Sequence, residues 1–339
     1  MEYQEDTDIQ RWLIMAKKLD DLDKPPTKRE KLDPTFSDGL LSKKNLEDFS
    51  DEILLTAFSH VDTLDLLRLQ QVNKRFHAIC QDQSLCKRVE ICNQNLPAEF
   101  IQKQLDGGCK YLNLRNCKIR NLQLKRPVQP PKLEELNLSC CDFDEMSLIN
   151  LLFKLLLPCN SLKKLVLTNV TSSGKDVSRT NLFGCLFDRI CLLNGSTLQV
   201  LSIKPWILMG IGPINAIVGH CLELKELEIP RTYFHIHNCL WFSQEIDILV
   251  ENLTPKIVKL RLGHISSEIT DDHVEKLVKR CSNLKVLDLS GSTLLTNNSL
   301  TSIVRYLEST LEELGIANTQ IEVDDLFESR ALPKLKRLY

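Results

Sequence analysis

From Cys109 onward the apolar positions recur in one pattern, L-x-x-L-x-L. It runs through Cys109, Leu112, Leu114; Leu133, Leu136, Leu138; Leu162, Leu165, Leu167; and Leu198, Leu201, Ile203. It continues through Leu224, Leu227, Ile229; Ile257, Leu260, Leu262; Leu284, Leu287, Leu289; and Leu311, Leu314, Ile316. The first anchors lie 24, 29, 36, 26, 33, 27 and 27 residues apart, the period of a stacked array of supersecondary units. Each alternating L-x-L predicts a short strand with its apolar side chains inward and the residues between them on an outer face. Between strands the period changes to 3.6, which predicts helices on the opposite wall. The sets are Leu148, Leu151, Leu152, Leu155; Ile214, Ile217, Val218, Cys221; Ile246, Leu249, Val250, Leu253; Val274, Leu277, Val278, Cys281; and Leu300, Ile303, Val304, Leu307. The implied architecture is α/β, a curved solenoid with parallel inner strands and outer helices.

A different pattern occupies Asn45 to Ile91. Ser50 is placed to cap a helix carrying Asp51 and Glu52 in its first turn, with Leu54 and Phe58 on one face. Asp62 caps a second helix, with Asp65 three residues on and Leu66, Leu67, Leu69 and Val72 leaving little polar surface before Lys74 and Arg75. A segment this short buries too small a share of its surface to stand alone, so its surplus leucines must pack on neighbours or on another protein.

The order of motifs here resembles the F-box, through which substrate receptors attach to the adaptor of SCF-type ubiquitin ligases. The matching runs are Phe49-Ser50, Glu52-Ile53-Leu54, Ala57-Phe58-Ser59, Asp65-Leu66-Leu67-Arg68, Val72-Asn73-Lys74-Arg75-Phe76 and Asp82-Gln83-Ser84-Leu85. Phe49-Ser50 stands where Leu-Pro is usual, Phe76 where Trp is common, and Cys86 where a closing Trp is expected. The array likewise resembles the cysteine-containing leucine-rich repeats of F-box/LRR proteins. Cys117 and Cys141 fill the terminal cysteine of that repeat, and Val170, Trp206, Thr232, Ile265, Ser292 and Thr319 replace it elsewhere. The resemblance implies a non-catalytic substrate receptor, with an SCF adaptor and, through it, a cullin as partners, a protein substrate on the repeats, and no cofactor. The expected adaptor contacts are Phe49, Ile53, Leu54, Phe58, Leu66, Leu67, Val72 and Phe76, with Lys74 and Arg75 at the rim. A repeat scaffold without a role in ubiquitination, the helical segment serving only as its cap, is the alternative.

This reading divides the chain into an N-terminal arm (1–44), the F-box (45–91), a connector (92–108) and a solenoid (109–339) of eight repeats and a partial ninth at Leu335 and Leu338. The arm is polar and broken by Lys24-Pro25-Pro26 and Asp33-Pro34, so it is expected to be disordered; Ile9, Trp12, Leu13 and Ala16 fit a short helix face within it. Lys118 to Lys132, with Pro127, Pro130 and Pro131, predicts a first repeat without a helix, lying against the F-box. Thr171 to Thr180 reads as an inserted polar loop.

Across the 339 residues charge nearly cancels, at −2, which leaves no long-range field for nucleic acid or anionic membrane. Thirteen cysteines, an odd count without a secretory signal, fall largely at repeating apolar places. Cys159, Cys221 and Cys281 each precede an anchor by three residues, which implies small buried hydrophobes in a reducing compartment, cytoplasm or nucleus. His235, His237 and Cys239 alternate, but packed aromatic neighbours and no fourth ligand argue against zinc. Tyr233, Phe234 and Trp241 form an aromatic loop suited to gripping a partner. No phosphate loop, nucleophile elbow or paired catalytic acids are found. The expected substrate surface is the outward strand row. There Glu226 and Glu228 should sit beside Lys259 and Arg261, with Lys204 on one side and Asp288 on the other.

Overall fold

The computed structural model describes residues 46–125, 131–172, 175–176, 182–203, 211–229, 243–264, 268–322 and 331–339. It opens with three short helices, α1 (Asp51–Phe58), α2 (Thr63–Leu69) and α3 (Lys74–Cys80). Each start has a local cause. Asp62 accepts from the Asp65 amide at 2.9 Å and Asn73 from the Phe76 amide at 2.7 Å, so both oxygens satisfy an otherwise unpaired N–H of a first turn.

The chain then enters a ten-stranded parallel sheet. Its strands are β1 (Arg88–Glu90), β3 (Tyr111–Asn113), β5 (Glu135–Asn137), β7 (Lys164–Leu167), β10 (Val200–Ile203), β11 (Glu226–Glu228), β12 (Lys259–Arg261), β13 (Val286–Asp288), β14 (Glu313–Gly315) and β15 (Arg337–Leu338), paired in that order. The predicted L-x-L pairs face inward: Leu136, Leu165, Leu201, Leu227, Leu260, Leu287 and Leu314 are fully buried and lie in register across neighbouring strands. A smaller sheet, β2 (Asn95–Leu96), β4 (Lys118–Ile119), β6 (Asp142–Phe143), β8 (Thr171–Ser172) and β9 (Lys175–Asp176), follows the turns after the first strands. The outer wall carries α4 (Ala98–Asp106), α5 (Glu145–Leu151), α6 (Leu182–Asn194), α7 (Ile211–His220), α8 (Ser243–Asn252), α9 (Asp271–Arg280) and α10 (Asn297–Leu307). This is a leucine-rich-repeat solenoid behind a helical head.

Three expectations change. The repeats begin earlier than Cys109: Val89 and Ile91 enter the main core, β1 pairs with β3, and α4 lies within the stretch read as a connector. The unit next to the head is therefore Cys86-x-x-Val89-x-Ile91, not the repeat beginning at Cys109. The latter shows no helix among its described residues, as its prolines dictate. Within the stretch read as an inserted loop, β8 and β9 pair antiparallel, and β8 extends the smaller sheet. A helix not anticipated, α6, buries Phe187, Ile190, Cys191 and Asn194.

The turns after the strands share a device. Asn93, Asn116, Cys140, Asn169, His264, Gly291 and Asn318 all have positive φ, and each lies two residues past the second apolar residue of its strand. Asparagine enters this region more readily than other side chains, which explains four of the seven. The bend keeps the backbone ladder going, with the amides of Asn93, Asn116 and Cys140 donating to the carbonyls of Arg115, Ser139 and Thr168 at 3.1, 2.8 and 2.8 Å.

Buried polar groups bolt adjacent repeats together. Asn194 is fully buried; its Oδ1 accepts from the Leu162 amide at 2.9 Å, while Nδ2 donates to the carbonyls of Cys159 and Ile190 at 3.1 and 3.0 Å. Asp271 plays a similar part, accepting from the Thr296 amide and hydroxyl and from Ser299 Oγ. Cys159 and Cys281 are buried at the ends of helices, and burial pushes their thiols up to about 12 and about 11.

Candidate functional site

The head has a core of its own. Leu54 and Phe58 on α1 meet Phe76, Ile79 and Cys80 on α3 and Leu85 beyond it, with Phe49, Leu55, Leu66 and Leu69 packed around the margin. Leu64 and Leu67 face the other way, into the solenoid. Thus α2 has two apolar faces, one for each body, and the Glu90 amide donating to Thr63 Oγ1 at 3.0 Å ties the junction.

This sorts the residues expected to touch an adaptor. Leu54, Phe58 and Phe76 are sealed inside the head and Leu67 inside the solenoid, so they shape the surface without forming it. The expectation erred because an eight-residue helix has one strongly apolar stripe, and the head uses that stripe for its own interior. Phe49 and Leu66 are half-buried against the same core. Arg75 is engaged internally: its guanidinium donates to the Phe49 carbonyl at 2.5 Å and to Asp51 at 2.8 Å, fastening the start of α3 to the start of α1. Facing outward are Lys74 and two large apolar residues, Ile53 at 53% and Val72 at 61% exposure, and the short helical turn before α1 adds Leu46 at 56%. Leu46 was missed because it precedes the regular spacing.

On the concave face the strand register brings Glu226 beside Lys259 and Glu228 beside Arg261, with Asp288 next to Arg261. The charges close on one another. Lys259 pairs with Glu228 and lies 3.7 Å from Glu226, and Arg261 reaches Glu228 at 3.4 Å and Glu313 at 2.8 Å. Ser202 donates to Glu228 at 3.2 Å, Arg337 pairs with Glu313, and Arg261 also donates to the Tyr339 hydroxyl. Asp288 Oδ1 accepts from the amide and hydroxyl of Ser290 at 3.1 and 2.8 Å. Glu313 was absent from the expected set because its partner Arg261 lies two strands away, and Arg337 joins through Glu313 on the neighbouring strand. Lys204, the aromatic loop at Tyr233, Phe234 and Trp241, and the His235, His237 and Cys239 trio lie outside the described residues.

A second polar column, not anticipated, runs along the rim one residue before each strand. It is Lys87, Lys110, Glu134, Lys163, Gln199, Lys225, Val258, Lys285, Glu312 and Lys336, and each amide donates to the carbonyl of the residue before it in that series at 2.6 to 2.9 Å. Glu134 bridges Lys110 and Lys163, both at 2.7 Å, and these hydrogen bonds hold its carboxyl down at about 2.

Residues 51–92 match the F-box-like family, a span that takes in all three head helices and strand β1. Solved structures similar to the chain include the internalin inlF of Listeria monocytogenes, at 18% identity and a TM-score of 0.37, covering 84% of this chain and 87% of that one. Others are the yeast Rad7 and Elc1 complex, at 14% identity and a TM-score of 0.43 (86% and 77% covered), and the TLR13–ssRNA13 complex, at 13% and 0.37 (74% and 32%). The chain joins an F-box-like head to a leucine-rich-repeat array.

Proposed function

We propose that this chain is the substrate-recognition subunit of an SCF-type ubiquitin ligase. The head docks on the adaptor and through it on a cullin, and the solenoid holds a protein for ubiquitination and degradation. In the order of head and repeats it is similar to S-phase kinase-associated protein 2. The observation that carries the reading is the split of apolar residues within the F-box-like segment. Leu54, Phe58 and Phe76 satisfy the head internally, while Leu46, Ile53 and Val72 are left in water, outside both cores. The adaptor would cover these three, with Lys74 beside them and Arg75 holding their backbone in place. Chemistry would come from other subunits in the cytoplasm or nucleus, this chain contributing proximity.

Affinity capture of the adaptor by the full chain tests this. The double variant Ile53→Asp, Val72→Asp should lose the adaptor while keeping its thermal unfolding midpoint, because neither side chain belongs to a core. Undiminished capture would refute the docking surface, and would favour the scaffold reading.

A further inference from the structure

We infer that the lysine column on the concave rim is a docking track for an extended acidic segment of the substrate protein, an inference that rests on the receptor reading above. Six lysines share the ten-residue column with two carboxylates, so four positive charges are unbalanced. The imbalance is not cancelled from either side. The adjoining strand row holds Arg88, Lys164, Lys259 and Arg337 against Glu135, Glu226 and Glu313, and the row outside it holds Lys132, Lys256 and Lys334 against Glu223. A chain of net charge −2 thus concentrates cations along one edge of its inner face.

At the centre of the track the column itself supplies no carboxylate. Glu134 serves Lys110 and Lys163 at one end, and Glu312 serves Lys336 at 2.6 Å and Lys285 at 3.5 Å at the other. Between them Lys225 donates to the neutral amide of Gln199 at 3.0 Å, and the next position is Val258. Lys163, Lys225 and Lys285 are exposed, so beyond their bonds to Glu134, Gln199 and Glu312 their ammonium groups keep donors for a partner.

Geometry also specifies the partner's spacing. From Lys110 on, every second position of the column is a lysine, and with strands about 4.8 Å apart these lie about 10 Å from one another. An extended peptide rises about 3.3 Å per residue, so an acid at every third residue meets successive lysines. Among the described residues, the positive-φ turns of the opposite rim carry Asn93, Asn116, Cys140, Asn169, His264, Gly291 and Asn318, and no lysine or arginine. The peptide therefore runs across the strands along one rim.

The test uses the full chain and a fluorescent peptide of roughly 12 residues with glutamate at every third position among glycine and serine. Anisotropy should show binding that weakens at least tenfold between about 50 and 300 mM salt, since exposed pairs are screened. Lys225→Gln should weaken it about threefold, and the triple variant Lys163→Glu, Lys225→Glu, Lys285→Glu should abolish it while still capturing the adaptor. A lysine-for-glutamate peptide should not bind. No binding of the glutamate peptide, or equal binding by the triple variant, would overturn the track. An oligothymidylate probe that binds more tightly than the peptide would reassign it to nucleic acid. Adaptor capture without peptide binding would sink only this inference; peptide binding without adaptor capture would sink only the receptor reading.

Discussion

Phe58 and Phe76 meet edge to face, their ring centroids 5.3 Å apart and their planes at 82°. One ring comes from α1 and the other from α3, so this contact closes the head on itself. It also explains why the outward residues can be sacrificed to a partner: the head's cohesion lies in the rings and not in Ile53 or Val72.

Phe58→Ala should therefore destabilise the head by about 3–5 kcal/mol, the range for an aromatic removed from a core. Hydrogen exchange should rise across residues 49–85 while the strands from β3 onward stay protected. Ile53→Asp should leave the exchange pattern unchanged. Equal protection in the two variants would show that the head has no separate interior.

The carboxyl of Glu134 is held at about 2 against an ordinary 4.5 by Lys110 and Lys163. A folded-state value below the unfolded one means that its contribution is complete above 4.5 and disappears as pH falls toward 2. Urea midpoints taken at successive pH values across that window should fall less steeply for Glu134→Gln than for the parent chain. An identical pH slope would show that the bridge is not formed in solution.

Asn194 satisfies three backbone groups with one side chain. Replacing it with leucine, which has the same side-chain branching and no polar atoms, leaves the Leu162 amide and the Cys159 carbonyl without their side-chain partner in a dry interior, each at roughly 1–3 kcal/mol. The urea midpoint should fall strongly with its slope unchanged. A loss under about 0.5 kcal/mol, the level of an ordinary surface substitution, would contradict the bracket.

Cys140 is exposed and Cys109, Cys141 and Cys159 are buried, with thiols that burial pushes up to about 12. Brief alkylation of the native chain, read by peptide mass spectrometry, should label Cys140 and spare those three until denaturant is added. Cys140 also sits at φ 61°, so Cys140→Gly should stabilise the turn by relieving about 1 kcal/mol of strain.

Much of this was written in one dimension. Leu136, Leu165, Leu227 and Leu260 announce the array because the L-x-L spacing and the stacking of repeats are the same periodicity. The pairing of Glu226 with Lys259 follows from it by counting. Val89 and Ile91 escaped notice because their anchor is Cys86 and they lie inside a segment already explained by helices. Neither α4 nor α6 announced itself, since Phe100 and Ile101 or Phe187, Ile190 and Cys191 form sets too short to stand out as a period.

The sequence by itself determined eight of the repeats from Cys109 on, the inward side of their strands, and the position of an F-box-like head, because each depends on local spacing. Only the tertiary structure decided which leucines of that head are interior and which are offered, since that depends on how three short helices divide their faces between two cores. It alone brought the rim lysines into one line, because residues about 25 positions apart become neighbours only when parallel strands stack at about 4.8 Å.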